Sequence, residues 1–134
     1  MENKQFKILA IDDNKDNLVV LEALVTDLFP DAKFIAAESG RTGFELCQTE
    51  KPDVILLDIV MPDMDGYEVC LKLKSNDRLR HIPVVMVTTN RTDSESRIKA
   101  LEAGADAFLS KPVDESELKA QINAMLRIKK NRRH

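Results

Sequence analysis

Five polar residues, each at the end of a short apolar run or just after it, carry the clearest chemistry in this sequence. They are Asp12, Asp13, Asp58, Thr88 and Lys111. If the runs end at one place, three carboxylates meet there, and two charges ~5 Å apart repel by about 3 kcal/mol at an effective dielectric constant of ~20. Raised pKa values, a bound cation or both must offset that repulsion. Carboxylates with carbonyls and water suit a hard divalent ion, and Mg²⁺ is the usual choice where phosphate is involved.

Phosphoryl transfer is the chemistry that this set of side chains favours. A metal ion and Lys111 can neutralise phosphate oxygens during in-line attack, and the Thr88 hydroxyl can donate a hydrogen bond to an oxyanion. Aspartate is a known covalent acceptor of phosphate. Asp58 is the candidate nucleophile, because it lies at the centre of the strand order predicted below, with Asp12 and Asp13 at the end of the neighbouring strand.

Five strands are predicted from short runs rich in apolar residues. Most of the runs are almost continuously apolar, which is typical of parallel strands covered on both faces. The runs cover residues 7–11, 33–37, 54–57, 84–87 and 107–109.

Helices are predicted between and after these runs. Leu18, Leu21, Val25 and Leu28 have helical spacing, and capping residues predict three more starts, at Asp65 with Glu68, at Thr92 with Glu95, and at Asp114 with Glu117. The helix over 39–48 is the weakest prediction, because Gly40 and Gly43 interrupt it.

Five strand–helix units in strict alternation define the fold class. Short connections imply a parallel sheet with right-handed crossovers and helices on both faces. Five units are too few for a closed eight-stranded barrel. The prediction is an α/β fold with an open, doubly wound, flavodoxin-like sheet in the order 2-1-3-4-5, whose ligand site lies beyond the carboxyl ends of the strands.

Composition narrows the class of protein further. The 134 residues are 43% hydrophobic and 32% charged, which excludes a disordered chain. No apolar run approaches the roughly 20 residues of a membrane span, and the N-terminus lacks a signal peptide, so we expect a cytoplasmic protein without membrane contact.

Residues 127–134 hold five basic residues and no acid, which leaves 15 basic against 23 acidic residues before them. Such an acidic body is a poor nucleic-acid surface.

The sequence resembles the receiver domain of two-component response regulators over about residues 6–127. No single piece of the resemblance is specific, but five pieces in the same order and spacing are. They are Leu9-Ala10-Ile11-Asp12-Asp13, the segment from Val54 to Gly66, Val87-Thr88, Phe108 and Lys111-Pro112.

The resemblance implies a role for each residue of the site. Asp12 and Asp13 would bind Mg²⁺ or Mn²⁺ together with Asp58 and the backbone carbonyl of Val60. Asp58 would accept phosphate from a histidine kinase or a histidine phosphotransfer protein. Thr88 and Lys111 would bind the phosphoryl oxygens.

Further positions in the resemblance bear on switching and rates. Phe108 would report phosphorylation by swinging inward, and the Lys111-Pro112 bond would be cis. Val60, Thr89 and Asn90 occupy positions that tune autophosphorylation and hydrolysis in the family.

The resemblance also implies how the signal leaves the domain. Phosphorylation would alter the surface of helix 4, strand 5 and helix 5, so residues 91–103 and 114–126 are the expected contact surface for a partner or output domain. It allows a dimer that depends on phosphorylation, and it implies a signalling domain that catalyses only its own phosphorylation and dephosphorylation.

Two other functions compete with this interpretation. An aspartyl-phosphate phosphatase needs Asp-x-Asp after the first strand, whereas here the two acids are adjacent. A flavin-binding module needs a Ser/Thr/Gly-rich phosphate loop at the same place, where Asp12 and Asp13 would repel the phosphate.

The domain prediction divides the chain at residue 127. Residues 1–127 form the receiver, and no DNA-binding output domain fits within the chain. Residues 128–134 form a basic tail, which is either the start of a linker helix or a solvated or partner-docking segment.

Overall fold

The computed structural model describes residues 5–89 and 94–132. Within these residues five parallel strands form one sheet in the order β2-β1-β3-β4-β5, which confirms the predicted fold class. The strands are β1 (Lys7–Ile11), β2 (Lys33–Ala37), β3 (Val54–Asp58), β4 (Val84–Thr89) and β5 (Ala107–Lys111).

The register brings the polar ends of four strands to one edge of the sheet. Asp58, the last residue of β3, pairs with Val87 of β4. Thr88 is the next residue of β4 and pairs with Ser110 of β5. Because all strands are parallel, residues at their carboxyl ends point to the same edge, which is where this fold binds ligands.

A helix follows each strand and covers one face of the sheet or the other. The helices are α1 (Lys15–Leu28), α2 (Gly40–Glu50), α3 (Gly66–Lys74), α4 (Ser94–Glu102) and α5 (Glu115–Arg132).

The core lies in two layers, because successive residues of a strand face opposite sides of the sheet. In β3, Ile55 and Leu57 belong to the layer that includes the buried residues of α2 and α3. Val54 and Leu56 belong to the layer that includes those of α1 and α5. All four side chains are almost fully buried. Burying a side chain of this size stabilises the fold by about 1.5–3 kcal/mol relative to leaving it exposed.

Two of the predicted helix starts are confirmed by their hydrogen bonds. Asp65 and Glu68 form a reciprocal capping box at the start of α3. At the start of α5, the Asp114 carboxylate accepts a hydrogen bond from the Glu117 N–H at 2.9 Å. The box predicted at residues 92–95 falls partly on residues 90–93, which lie outside the described ranges.

The last helix continues past residue 127 as far as Arg132, the last of the described residues. Ile128 packs against the core layer of α1 and α5. Lys129 is buried, and its Nζ lies 2.8 Å from Asp53 Oδ1. Residues 128–132 are therefore a helical segment attached to the sheet. Among the helices of the described ranges, none has the length and apolar character needed to cross a membrane.

Candidate functional site

Three carboxylates meet at the carboxyl edge of the sheet, where they form the acidic cluster of Asp12, Asp13 and Asp58. One oxygen from each carboxylate lies within 4.8 Å of the others. Asp12 and Asp58 are buried, with 2% and 7% of their surface exposed, whereas Asp13 is exposed. The cluster therefore has one side open to solvent.

Lys111 joins two of these carboxylates. Its Nζ donates to Asp12 Oδ2 at 2.8 Å and to Asp58 Oδ1 at 3.3 Å. The lysine is the last residue of β5, and the bond that follows it, to Pro112, is cis. One ammonium thus faces the two buried carboxylates of the acidic cluster.

The loop after β1 fixes Asp12 locally. Asn14 caps α1, and its backbone N–H donates to Asp12 Oδ1 at 2.9 Å. The Asn17 side chain donates to Asp12 Oδ2 at 3.2 Å. Asn17 is a further residue of the site, beyond those predicted from the sequence. The available signal was an amide residue in the first turn of a helix that directly follows the acidic pair.

The loop after β3 folds back tightly on Asp58. The Gly66 N–H donates to the Ile59 carbonyl at 2.8 Å. A Cβ at position 66 would lie only 2.4 Å from the Asp58 carbonyl oxygen. Gly66 thus allows α3 to start directly against the end of β3. Gly66 lies within the segment that carries the resemblance, but its residue type alone did not predict this contact with Asp58.

Electrostatics favour a cation at this site. Burial, and after it the charge of Asp12, raises the pKa of Asp58 to about 6, although the charge and hydrogen bond of Lys111 act in the opposite direction. The positive charge of Lys111 therefore offsets only part of the repulsion among the three carboxylates. Three carboxylate oxygens around one point are hard ligands that fit Mg²⁺ or Mn²⁺.

Thr88 presents a donor that has no partner in the described ranges. The residue is 1% exposed, and its Oγ1 is buried without a hydrogen bond. A buried hydroxyl in this condition is costly unless a ligand satisfies it. Since Thr88 follows Val87, the strand partner of Asp58, it is placed to serve a group bound at the cluster.

The remaining predicted residues lie around this centre. The side chain of Val60, two residues after Asp58, is 69% exposed. Phe108 is partly buried against the core and borders a cavity of about 250 Å³ that Arg97 and Leu101 of α4 also line. Thr89 ends β4, and Asn90 lies outside the described ranges.

Known proteins resemble this chain in both sequence and fold. The family described as "Response regulator receiver domain" matches residues 8–123. "Response regulator PleD" of Caulobacter vibrioides is 42% identical over 125 residues, which are 92% of this chain and 26% of PleD. "Protein PilH" of Pseudomonas aeruginosa is 36% identical over 120 residues, which are 90% of this chain and 97% of PilH. The chain thus spans about a quarter of the first relative and nearly all of the second.

One solved structure with a similar fold contains a bound metal ion. The receiver domain of the sensor histidine kinase PA1611 from Pseudomonas aeruginosa PAO1 matches with a TM-score of 0.82 and 25% identity, over 92% of this chain and 98% of that one. In that protein a magnesium ion is coordinated in the active site cleft. The family match over most of the chain and the relatives at 36% and 42% identity agree. The chain belongs to the receiver domains of response regulators in two-component signalling.

Proposed function

We propose that Asp58 accepts a phosphoryl group from a phosphohistidine and so switches this domain between two signalling states. Receiver domains of this kind work with histidine kinases, so the proposed donor is a sensor kinase or a histidine phosphotransfer protein. The observation that carries the proposal is the convergence of Asp58 with Asp12, Asp13 and Lys111 at the carboxyl edge of the sheet.

Asp58 has the properties of a nucleophile at neutral pH. With a pKa of about 6 it is mostly ionised above pH 7. In the proposed reaction a carboxylate oxygen of Asp58 attacks phosphorus in line, and the P–N bond to the donor imidazole breaks. The nitrogen keeps the bonding pair and the ring takes up a proton, which leaves an acyl phosphate on Asp58.

Lys111 and Thr88 are proposed to bind the oxygens of the transferred group. The Lys111 ammonium lies 3.3 Å from Asp58 Oδ1, so a phosphoryl group on Asp58 would be next to it. The Thr88 hydroxyl, which has no hydrogen-bond partner among the described residues, supplies a neutral donor in the same region. Both groups are fixed on strands before the phosphate arrives, which reduces the reorganisation that the transition state requires.

Asp12, Asp13 and Asp58, with the Val60 carbonyl, are the proposed ligands of a divalent cation. The acidic cluster supports this assignment through its carboxylate oxygens and its incompletely offset charge. When bound, the ion would neutralise charge on the phosphoryl oxygens as the new bond forms. Val60, Thr89 and Asn90 are proposed to tune the rate of hydrolysis of the acyl phosphate.

The proposed output surface consists of α4, β5 and α5. Of the residues that the structure describes in α4, Ala100 alone is buried, while Ile98 and Leu101 are 51% and 69% exposed. Phe108 connects this surface to the site, because it borders the cavity under α4 and precedes Lys111 by three residues on the same strand. A weakly buried helix beside the site can shift at a small cost in free energy.

Phosphorylation of the purified chain tests the nucleophile. We expect Mg²⁺ and acetyl phosphate to add one phosphoryl group, measured by intact-mass spectrometry, and hydroxylamine to release it as expected of an acyl phosphate. Asp58→Asn abolishes the gain in mass. Asp63→Asn is the matched control, because Asp63 is exposed in the same loop and lies outside the acidic cluster. Retained labelling of the Asp58→Asn variant would overturn the assignment.

Hydrogen exchange tests the output surface. With Mg²⁺ and acetyl phosphate present, we expect changed exchange rates in α4, β5 and α5, and no change in Asp58→Asn. Changes confined to the loops around the acidic cluster would contradict the proposed surface while leaving the phosphorylation itself intact.

A further inference from the structure

Asn17 lies close to the acidic cluster, although it is not a member of the proposed phosphotransfer set. It is half-buried in the first turn of α1. Its backbone N–H donates to the Oδ1 of the capping residue Asn14 at 3.1 Å, and its side-chain nitrogen donates to Asp12 Oδ2 at 3.2 Å. Since a carboxylate only accepts hydrogen bonds, the NH₂ end of the Asn17 amide must face Asp12.

Within residues 5–89 and 94–132, three donors reach the Asp12 carboxylate and together fix its plane. The Asn14 N–H holds Oδ1, while Lys111 Nζ and Asn17 Nδ2 share Oδ2. Asp12 is only 2% exposed, so solvent has little room to replace a donor that is lost. Hydrogen bonds to metal ligands typically change metal affinity 10–100-fold, because they hold the ligand in its binding orientation.

The two donors on Oδ2 have different fates in the proposed reaction. Lys111 contacts both Asp12 and Asp58, and it is proposed to bind the phosphoryl oxygens. The side-chain hydrogen bond of Asn17 goes to Asp12 and not to Asp58, so binding of a phosphoryl group on Asp58 does not compete for it. Asn17 is therefore the side-chain donor that can hold the Asp12 carboxylate while Lys111 binds phosphate.

We infer that Asn17 is a positioning residue that fixes the Asp12 carboxylate for the divalent cation. The inference rests on the proposed function, in which Asp12 is a metal ligand. Asn17 acts on metal binding and not on the transfer step, so its loss can be compensated by more Mg²⁺.

The experiment measures metal binding and phosphorylation separately on the full chain. Isothermal titration calorimetry with Mg²⁺ alone gives the affinity, and labelling by acetyl phosphate over a range of Mg²⁺ concentrations gives the half-saturating concentration and the maximal rate. For Asn17→Leu we expect about tenfold weaker Mg²⁺ binding and an equal rise in the half-saturating Mg²⁺ concentration. The maximal rate at saturating Mg²⁺ stays within about twofold of that of the unmodified chain, because the transfer groups are intact.

Three further variants separate the amide from general effects on α1. Asn17→Gln keeps the donor on a longer side chain and restores most of the affinity. Asn123→Leu makes the same replacement on α5, outside the hydrogen bonds of Asp12, and leaves Mg²⁺ binding unchanged. Asn17→Ala replaces Asn17→Leu if circular dichroism shows that the leucine variant does not fold.

The outcomes distinguish this inference from the proposed function. Absence of labelling in the unmodified chain at every Mg²⁺ concentration overturns the proposed function. Normal labelling of the unmodified chain, together with an unchanged Mg²⁺ dependence in a folded Asn17→Leu variant, overturns only the assignment of Asn17. Equal losses in the Leu and Gln variants also overturn it, because they show that the amide donor is not what matters.

Discussion

Asp58 makes the stability of the metal-free domain depend on pH. Burial, followed by the charge of Asp12, raises its pKa from 3.8 to about 6. The folded state therefore binds the Asp58 proton more tightly than the unfolded state does. The contribution of Asp58 to stability is fully present below about pH 4 and is lost as the pH rises through about 6. At neutral pH the ionised, buried carboxylate opposes folding unless a cation is bound.

Replacing Asp58 by asparagine should therefore stabilise the metal-free protein at neutral pH. We expect Asp58→Asn to raise the free energy of unfolding by about 1–3 kcal/mol at pH 7.5 without divalent cations, and by much less at pH 4. Urea unfolding at the two pH values measures this difference. Added Mg²⁺ should narrow it, because the cation stabilises only the chain that binds it. The control Asp63→Asn, at an exposed residue, should change little at either pH. A less stable Asp58→Asn variant at pH 7.5 would contradict the argument.

Residue types and order predicted which side chains meet, but not how they are held. The convergence of Asp12, Asp58 and Lys111 follows from parallel strands and their order, both of which the sequence pattern indicates. The hydrogen bond from Asn17 depends on how the first turn of α1 is placed against the end of β1. Whether the Thr88 hydroxyl finds a partner depends on every neighbour around it, and in the part of the chain that the structure describes it has none. Neither property is encoded in local spacing.

At the scale of elements, α2 forms despite the poor helix propensity of its two glycines, because these glycines allow close packing. Gly40 and Gly43 weaken the sequence prediction of this helix, yet it runs for 11 residues. A Cβ at Gly43 would lie 2.4 Å from Ile11 Cδ1, and one at Gly40 would lie 2.8 Å from Val69 Cγ2. The two residues let α2 approach the sheet and α3 closely, and that contact outweighs the cost of about 1 kcal/mol for each glycine.

The start of α3 offers a test of whether stability and phosphorylation depend on the close approach of this helix to Asp58. In an unobstructed helix Gly66→Ala would stabilise the protein by up to about 1 kcal/mol. Here the new Cβ would lie 2.4 Å from the Asp58 carbonyl oxygen, so we expect a loss of about 1–3 kcal/mol in urea unfolding. We also expect slower phosphorylation, because the backbone of Asp58 must move. Ser75→Ala, at the other end of α3, serves as the control. Increased stability of Gly66→Ala would show that the loop adapts freely.

Tyr67 is a contact between α3 and the weakly buried α4. Its hydroxyl donates to the Ser96 carbonyl at 3.4 Å, and Lys99 Nζ lies 4.8 Å from the ring centroid. We expect Tyr67→Leu to weaken the attachment of α4 by about 1 kcal/mol, which corresponds to about fivefold faster amide exchange in α4. Hydrogen-exchange mass spectrometry measures this rate.

Phe44 offers a matched control for Tyr67. It is an aromatic residue of α2 whose ring lies 5.2 Å from Lys72 Nζ of α3. Phe44→Leu should change exchange in α2 and α3 and leave α4 unaffected. Equal effects of both variants on α4 would indicate a general loss of stability and not a specific contact.

At the scale of the whole molecule, charged side chains of the described residues gather at both edges of the sheet. The acidic cluster lies at the carboxyl edge, while the basic end of α5 is bound at the amino edge. There Lys129 pairs with Asp53, and Arg132 and Lys74 pair with Asp106. Burial alone would raise the pKa of Asp106, but hydrogen bonds from Arg132 and the Val84 N–H, together with the charge of Lys74, hold it below its usual value. The contacts of Asp106 therefore add stability above about pH 4 that is lost as the pH falls below it.

The sequence could not predict this attachment of the C-terminal helix. Read along the chain, the basic residues after 127 have no acidic neighbour and resemble a separate tail. Their partners lie far away in sequence, since Asp53 is 76 residues before Lys129 and Asp106 is 26 residues before Arg132. Only the fold, which places the end of α5 beside the starts of β3 and β5, brings these charges together.

Lys129 provides the test of whether this attachment stabilises the domain as a whole. Lys129 is buried, and Asp53 also accepts a hydrogen bond from the Lys7 N–H, so the pair ties α5 to both β1 and the start of β3. We expect Lys129→Met to lower the free energy of unfolding by about 1–3 kcal/mol, because a partly buried carboxylate loses its cation.

Lys130→Met, at the exposed neighbouring residue, should change stability by less than about 0.5 kcal/mol. Mg²⁺ binding should be unchanged in both variants, because the pair lies at the edge opposite the acidic cluster. Equal stabilities of the two variants would mean that α5 is held by its apolar stripe alone, and a change in Mg²⁺ affinity would mean that the two edges of the sheet are coupled.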